Sequence, residues 1–159
     1  IYFEHKKAYR LLRENVPVGD FEVPIGRAAL RRTGDDLTVV TYGFMVHETL
    51  EAAATLAEEG IEATVLDLRT LAPLDRDAIL EAARATGKVL VVHEDTLTGG
   101  IGAEVAALIA EHAFHDLDAP VRRLASPDIP AMPFNVHVEA ALLPSQRTIA
   151  QAMRDLAAY

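Results

Sequence analysis

The stretch Leu-Thr-Val-Val-Thr-Tyr-Gly, residues 37–43, decides the fold of this chain. Its first six residues are almost all β-branched or apolar, as in a strand that a parallel sheet buries on both faces. The helical pattern that follows, residues 45–59, repeats apolar residues on one face, and Gly60 is placed to end it. These apolar residues are Val46, Leu50, Ala53 and Ala57. A buried strand that leads into an amphipathic helix is typical of α/β proteins.

The same order of strand and helix recurs along the rest of the chain. Further strands are predicted at residues 63–68, 88–92 and 121–125, and further helices after Pro73, Gly100 and Ser145. Upstream, residues 27–32 and 37–42 flank a Gly-Asp turn and predict a hairpin. We therefore predict an α/β fold: a three-layer open sheet, mostly parallel with one antiparallel strand, and helices on both faces.

Composition excludes several classes of function. The 159 residues carry a formal net charge of −9 and no basic run, so no nucleic-acid partner is expected. The chain has no cysteine, which excludes disulfides, thiolate catalysis and cysteine-ligated zinc. No apolar stretch reaches the roughly 18 residues of a membrane span, so no membrane partner is expected either.

The glycine-rich turn at residues 99–102 has two interpretations. Gly100 and Gly102 match the first two glycines of a dinucleotide-binding fingerprint, but Val105 stands at the third position. Glu104 would also place a negative charge near a phosphate bound at the helix start. We therefore favour a tight strand-to-helix turn, in which Gly99 takes part, over a phosphate cradle.

Two charged pairs follow predicted strands. His93-Glu94 comes just past a central strand, where open α/β sheets place functional groups. The pair could orient a proton donor or form an interface contact, and we favour a structural or interface role because no nucleophile is nearby in sequence. Asp67 and Arg69 end another strand, where they could lock a loop or bind a partner's charges.

The remaining histidines have simple structural interpretations. His112 continues the apolar stripe of the fourth predicted helix and His115 does not, which favours a helix-end histidine over a metal ligand. His47 and Glu51, one turn apart, are expected to form a solvent-exposed pair. His137 lies in a predicted proline-rich loop.

Several strings, in order, resemble one family. They are residues 34–43, residues 67–75 with Asp-Leu-Arg-Thr-Leu-Ala-Pro-Leu-Asp, Val-Val-His-Glu at 91–94, Gly-Gly-Ile-Gly-Ala-Glu at 99–104, and Asp128 with its prolines. The set is similar to the carboxyl-terminal domain of the β subunit of thiamine-diphosphate-dependent 2-oxo acid dehydrogenases of the pyruvate and branched-chain type. Pro130 and Pro133 are spaced more widely after Asp128 than in many members. The same domain type in transketolase or deoxyxylulose-phosphate synthase, and a standalone α/β ligand-binding domain or docking module, remain alternatives.

The resemblance implies that the chemistry lies outside this segment. Residues 1–24 are then a lead-in from a preceding pyrimidine-binding domain, with residues 1–3 as a strand end, and residues 25–159 are the transketolase-type domain. Thiamine diphosphate with Mg²⁺ would bind outside this segment, between that preceding domain and an α subunit. The whole enzyme would decarboxylate a 2-oxo acid and pass the acyl group to a lipoyl acyltransferase.

The resemblance also implies partners and a location. The partners are the dehydrogenase α subunit, a second β subunit and the acyltransferase's subunit-binding domain, in a cytoplasmic enzyme (mitochondrial matrix in a eukaryote). No catalytic, cofactor-binding or metal-binding residue is assigned to this segment, which is expected to be inactive alone. The candidate interface or structural residues are Asp67, Arg69, His93, Glu94, Gly99, Gly100, Gly102, Glu104, Asp128 and Tyr159.

Overall fold

The computed structural model describes residues 1–159 and contains one five-stranded sheet in the order β1-β3-β2-β4-β5. The strands are β1 (Ala29–Arg32), β2 (Leu37–Thr41), β3 (Ala63–Asp67), β4 (Val89–Thr96) and β5 (Arg122–Ser126). The helices are α1 (Ala8–Leu11), α2 (Met45–Ala57), α3 (Arg76–Thr86), α4 (Ile101–His112), α5 (Val136–Leu142) and α6 (Gln146–Ala157), with a 3₁₀ turn at Phe114–Asp116. None of these helices is long and apolar enough to cross a membrane.

Strand β2 lies at the centre of the sheet and is buried along its whole length. It pairs in parallel with β3 on one edge, where Val39 is opposite Val65, and with β4 on the other, where Val39 is opposite Leu90. Strand β5 extends the parallel part beyond β4. The predicted mostly parallel sheet is thus confirmed.

The antiparallel strand is confirmed, but the predicted hairpin is wrong. Strand β1 pairs antiparallel with β3, not with β2. The turn between β1 and β2 crosses the beginning of β3, where the Gly34 N–H donates to Thr64 Oγ1 at 2.9 Å. A Cβ at Gly34 would lie 2.5 Å from the backbone of Glu62, so only glycine allows this crossing.

Helices cover both faces of the sheet, as predicted. Helices α2 and α6 pack on one face, around a core that includes Leu37, Val39 and Leu90. Helices α3 and α4 pack on the other face, around a core that includes Val40 and Val91. The alternation of β2 and β4 side chains between two apolar cores explains why both strands read as continuous apolar runs.

Capping residues define the ends of helices α3 and α6. Asp75 caps the start of α3, where its side chain accepts from Ala78 N, and Gly87 ends the helix in the left-handed conformation. Ser145 and Thr148 form a reciprocal capping box at the start of α6.

Helix α5 was not predicted, because the prolines before it favour a loop. It begins at an Asn135 cap that accepts from two backbone N–H groups, and it contains His137, which the sequence had placed in a loop. The helix has no buried residue, so little apolar periodicity distinguishes it.

The first 28 residues lie outside the sheet. Residues 1–3 are exposed and form no strand, so the predicted strand end is wrong. The polar segment after them contains one short helix, α1, of four residues. Residues 4–14, called the arm below, lie against the carboxyl edge of the sheet.

Replacing Asp75 with Ala should lower the free energy of unfolding by about 2 kcal/mol, because Asp75 makes two structural hydrogen bonds. Its Oδ2 accepts from Ala28 N at 2.9 Å in addition to the cap of α3. Asp77→Ala is the matched control, since Asp77 is exposed in the first turn of the same helix. It should cost only about 0.5 kcal/mol through the helix dipole. Equal losses in urea unfolding would contradict this account.

Candidate functional site

The carboxyl edge of the sheet has a topological switch point between β2 and β4. From β2 the chain crosses to β3 on one side, and from β3 it crosses back past β2 to β4. The connection after β2 leads to α2 on one face, and the connection after β4 leads to α4 on the other. Open α/β sheets bind ligands at such a point, so this edge is the candidate functional site.

His93 occupies the switch point but is closed off from solvent. It lies inside β4, not past its end as predicted, and its exposed fraction is 0 %. Neither ring nitrogen has a hydrogen-bond partner of acceptable geometry. A Cβ at Gly102 would lie 2.3 Å from His93 Nε2, and one at Gly100 would lie 2.8 Å from His93 Cε1. The glycine turn therefore gives space to the imidazole ring.

Burial shifts the pKa values of two ring side chains at the switch point, His93 and Tyr42. The pKa of His93 is lowered chiefly by burial, against the opposing effects of the Asp95 charge and backbone. Tyr42 lies beside it with ring centroids 6.3 Å apart and rings nearly parallel. Burial, followed by the charges of Asp95 and Glu94, raises the pKa of Tyr42 to about 12. His93 is therefore held as a neutral imidazole beside a neutral phenol.

Glu94 faces away from His93 and binds the arm. Its Oε2 lies 3.2 Å from His5 Nε2, and the His5 ring stacks on Phe44 with centroids 5.1 Å apart. Lys7 Nζ lies 4.6 Å from the centre of the same Phe44 ring. No local sequence pattern indicates these contacts, because His5 and Lys7 are far from Phe44 and Glu94 along the chain.

Asp67 and Arg69 form a turn at the end of β3. Arg69 N donates to Asp67 Oδ1 at 3.0 Å, and Arg69 itself has a positive φ of 53°. Burial raises the pKa of Asp67, and the hydrogen bond from Arg69 partly offsets this. This bond joins the two residues within the turn. The two predicted roles of the pair, locking the loop and binding a partner's charges, stay predictions.

Asp128 anchors the loop that contains Gly99. It accepts from Thr98 N at 3.0 Å and from Thr98 Oγ1 at 2.6 Å. These two bonds lower the pKa of Asp128. Asp128 thereby fixes the approach to the glycine turn from the β5 side, and Gly99 supplies the positive φ of 75° that the turn requires.

The other predicted residues lie apart from the switch point. Glu104 is exposed in the first turn of α4, and Tyr159 is exposed at the end of the chain. His112 is exposed, not part of the buried stripe, and its Nε2 lies 2.9 Å from Arg76 Nη2. His47 is half-buried beside Phe44, with ring centroids 6.0 Å apart, so its predicted exposed pair with Glu51 is wrong.

Comparison with known proteins identifies the family. A family model described as transketolase, C-terminal domain, matches residues 26–149. The chain belongs to the transketolase C-terminal domain family. The predicted resemblance is therefore confirmed at the level of the domain.

Curated relatives of this transketolase-type domain are longer than the chain. The chain is 54% identical, over all of its 159 residues, to the 2-oxoisovalerate dehydrogenase subunit beta of Bacillus subtilis and covers 49% of that protein. It is 46% identical over 154 residues to the acetoin:2,6-dichlorophenolindophenol oxidoreductase subunit beta of Cupriavidus necator, covering 97% of the chain and 45% of the relative. The chain thus spans about half the length of these relatives.

A solved structure supports the same fold. The split gene transketolase, described as an inactive beta4 tetramer, superposes with a TM-score of 0.78 and 30% identity. The match covers 91% of this chain and 46% of that one.

The glycine turn does not fit the diphosphate of a thiamine cofactor. Helix starts attract phosphates, which makes the start of α4 one candidate anion site on this edge. Here the His93 ring lies against Gly100 and Gly102, and Glu104 adds a negative charge in the first turn. The residues present therefore leave neither the space nor the charge for a phosphate group.

Replacing His93 with Asn should flatten the dependence of stability on pH below neutrality. Because the pKa of His93 is lowered in the folded state, the unfolded chain binds more protons as pH falls below about 6.5, and folding stability decreases. Above that pH the histidine is neutral in both states and contributes no slope. Asn does not titrate, so this part of the loss should vanish in the variant.

The measurement is urea unfolding between pH 8 and pH 5 for both proteins. The other five histidines are present in both, so the difference in slope isolates His93. Parallel curves would show that His93 is not held neutral by burial.

Proposed function

We propose that this chain is the carboxyl-terminal domain of the β subunit of a thiamine-diphosphate-dependent 2-oxo acid dehydrogenase. The observation that carries the proposal is the 54% identity, over the whole chain, to a 2-oxoisovalerate dehydrogenase subunit beta. The whole enzyme decarboxylates a 2-oxo acid oxidatively and transfers the acyl group to a lipoyl acyltransferase. In this proposal residues 1–24 lead in from a pyrimidine-binding domain, and residues 25–159 form the assembly domain.

The carboxyl edge supports an assembly role over a catalytic one. His93, the histidine within β4 at the switch point of the strands, is buried under the glycine turn. The neighbouring Glu94 is engaged by the arm, and Asp67 and Asp128 accept backbone hydrogen bonds that fix loops. Glu94, Asp67 and Asp128 stabilise the edge and His93 is enclosed, so none of the four presents an acid, a base or a nucleophile to a substrate.

The exposed apolar surface supports contacts with other subunits. Around α5, the side chains of Met132, Phe134, Val136 and Val138 are exposed, and α5 buries none of its own residues. We call these four residues the α5 patch. Exposed clusters of large apolar side chains mark protein interfaces. The proposed partners are an α subunit and a second β subunit.

The third proposed partner is a basic protein domain. We also propose a cellular location for the enzyme. The net charge of −9 suits the subunit-binding domain of a lipoyl acyltransferase, with Tyr159 and α6 as a contact region. The relatives above are bacterial, and we propose a cytoplasmic enzyme.

Residues 1–159 alone should bind no thiamine diphosphate, because the cofactor site lies outside them in this proposal. Isothermal titration with thiamine diphosphate and Mg²⁺ should give no binding heat. The complete β subunit mixed with its α subunit should bind the cofactor and release carbon dioxide from a branched-chain 2-oxo acid.

The controls for this experiment are the complete β subunit and α subunit, each assayed alone. Tight thiamine diphosphate binding by residues 1–159 would contradict the proposed division of labour. A complete, assembled enzyme that transfers two-carbon units between sugars but leaves 2-oxo acids intact would instead identify a transketolase.

Replacing Phe134 with Ser should weaken assembly without unfolding the domain. The Phe134 side chain is fully exposed in the isolated chain, so its loss should leave the free energy of unfolding within about 0.5 kcal/mol. If the side chain is buried in the assembled enzyme, the substitution should reduce subunit affinity at least about tenfold.

The matched control is Phe114→Ser, which removes another exposed phenylalanine, in the 3₁₀ turn after α4. Analytical ultracentrifugation of the α and β subunits measures the affinity of both variants. Equal affinity of the Phe134 variant and the unaltered protein would remove the α5 patch from the interface.

A further inference from the structure

At the switch point, side chains of the chain's own arm fill the space beside the ends of β2 and β4. We call this space the switch-point crevice. His5 contacts two groups there, the Phe44 ring after β2 and the Glu94 carboxylate in β4. The His5 and Phe44 rings are inclined by only 21°, and His5 Nε2 lies 3.2 Å from Glu94 Oε2. Lys7 adds an ammonium group 4.6 Å from the centre of the Phe44 ring.

The Phe44 ring and the Glu94 carboxylate, which hold the arm, both attract cations or hydrogen-bond donors. An aromatic face attracts a cation or an imidazole, and a carboxylate accepts hydrogen bonds and attracts positive charge. Phe44 is only 5 % exposed, so its ring is enclosed by these contacts and by the apolar core below it. The crevice is therefore built to hold a cationic or hydrogen-bond-donating group.

The arm is held by few contacts beyond this site. Helix α1 has no buried residue, although Ala8 and Leu12 rest against the core beneath α2 and α6. At the far end Glu14 Oε1 lies 3.4 Å from Arg31 Nη2, and both side chains are partly exposed. Exposed ion pairs contribute little to stability, and short helices are marginal alone. The arm can therefore open without unfolding the sheet.

We propose that the switch-point crevice is a cation-recognising site that the chain fills with its own His5 and Lys7. The arm is then a strap that opens and closes over the carboxyl edge. In the open state the Phe44 face and the Glu94 carboxylate are free to take an imidazole, ammonium or guanidinium group. This inference does not depend on the proposed dehydrogenase function.

Hydrogen exchange of the arm in the full chain tests the strap. His5→Ala, Lys7→Ala and Glu94→Gln should each raise the exchange rate of residues 4–14 by about twofold to fivefold, because each removes at least one contact of the closed state. The double variant His5→Ala with Glu94→Gln should exchange no faster than the faster single variant, since the two groups share one contact.

Lys6→Ala is the matched control for Lys7→Ala. Lys6 is the neighbouring lysine and is exposed, and its replacement should leave the exchange of the arm unchanged. Exchange in β2 and β4 should be the same in all variants, because the sheet stays folded when the arm opens. Equal exchange of the arm in every variant, or faster exchange in β2 and β4 along with it, would overturn the proposal.

Added imidazole tests the recognition chemistry directly. Imidazole should enter the space left by the His5→Ala side chain, bind between Phe44 and Glu94, and slow the exchange of the arm toward the rate of the unaltered protein. The same addition should have no effect in the double variant with Glu94→Gln. Failure of imidazole to slow exchange in His5→Ala, or an equal effect in the double variant, would show that the crevice does not recognise such a group.

Discussion

Strand β2 pairs with both β3 and β4, and the other elements of the domain are arranged around this pairing. Every residue of β2 is buried, so the strand needs a hydrogen-bonded neighbour on each edge and a helical layer on each face. To supply both, the chain passes from β3 over β2 to β4. This crossing creates the switch point at the carboxyl edge. The Asp67 turn, His93, Glu94 and the glycine turn all lie along that edge as a consequence.

Close packing at the switch point explains the glycine turn better than ligand binding does. The imidazole of His93 takes up the space that side chains at residues 100 and 102 would need, and burial keeps it neutral. A buried neutral histidine without hydrogen-bond partners costs stability. Its position is therefore set by the apolar packing of β4 against α4, and the domain gives up stability at this point.

The sequence predicted those parts of the fold that depend on local patterns. Strand β2 and helices α2, α3 and α6 were predicted because apolar periodicity and caps such as Asp75 and Ser145 act over a few residues. The pairing of β1 with β3 was missed, since it depends on Gly34 crossing the backbone of Glu62, a contact between distant segments.

At the candidate site the sequence located the His93-Glu94 pair and the glycine turn. It could not show that Glu94 and Phe44 hold His5, because such contacts leave no local pattern.

In the proposed function, a domain that is closed at its carboxyl edge and apolar around α5 holds subunits together while other domains carry the chemistry. The most direct test is native capture from source cells with an antibody against residues 26–149, followed by intact mass measurement. Because the chain covers 49% of a related β subunit, we expect a polypeptide of about twice 17.2 kDa that is captured together with a different, α-type subunit. Capture of a 17.2 kDa polypeptide without a second subunit would contradict it.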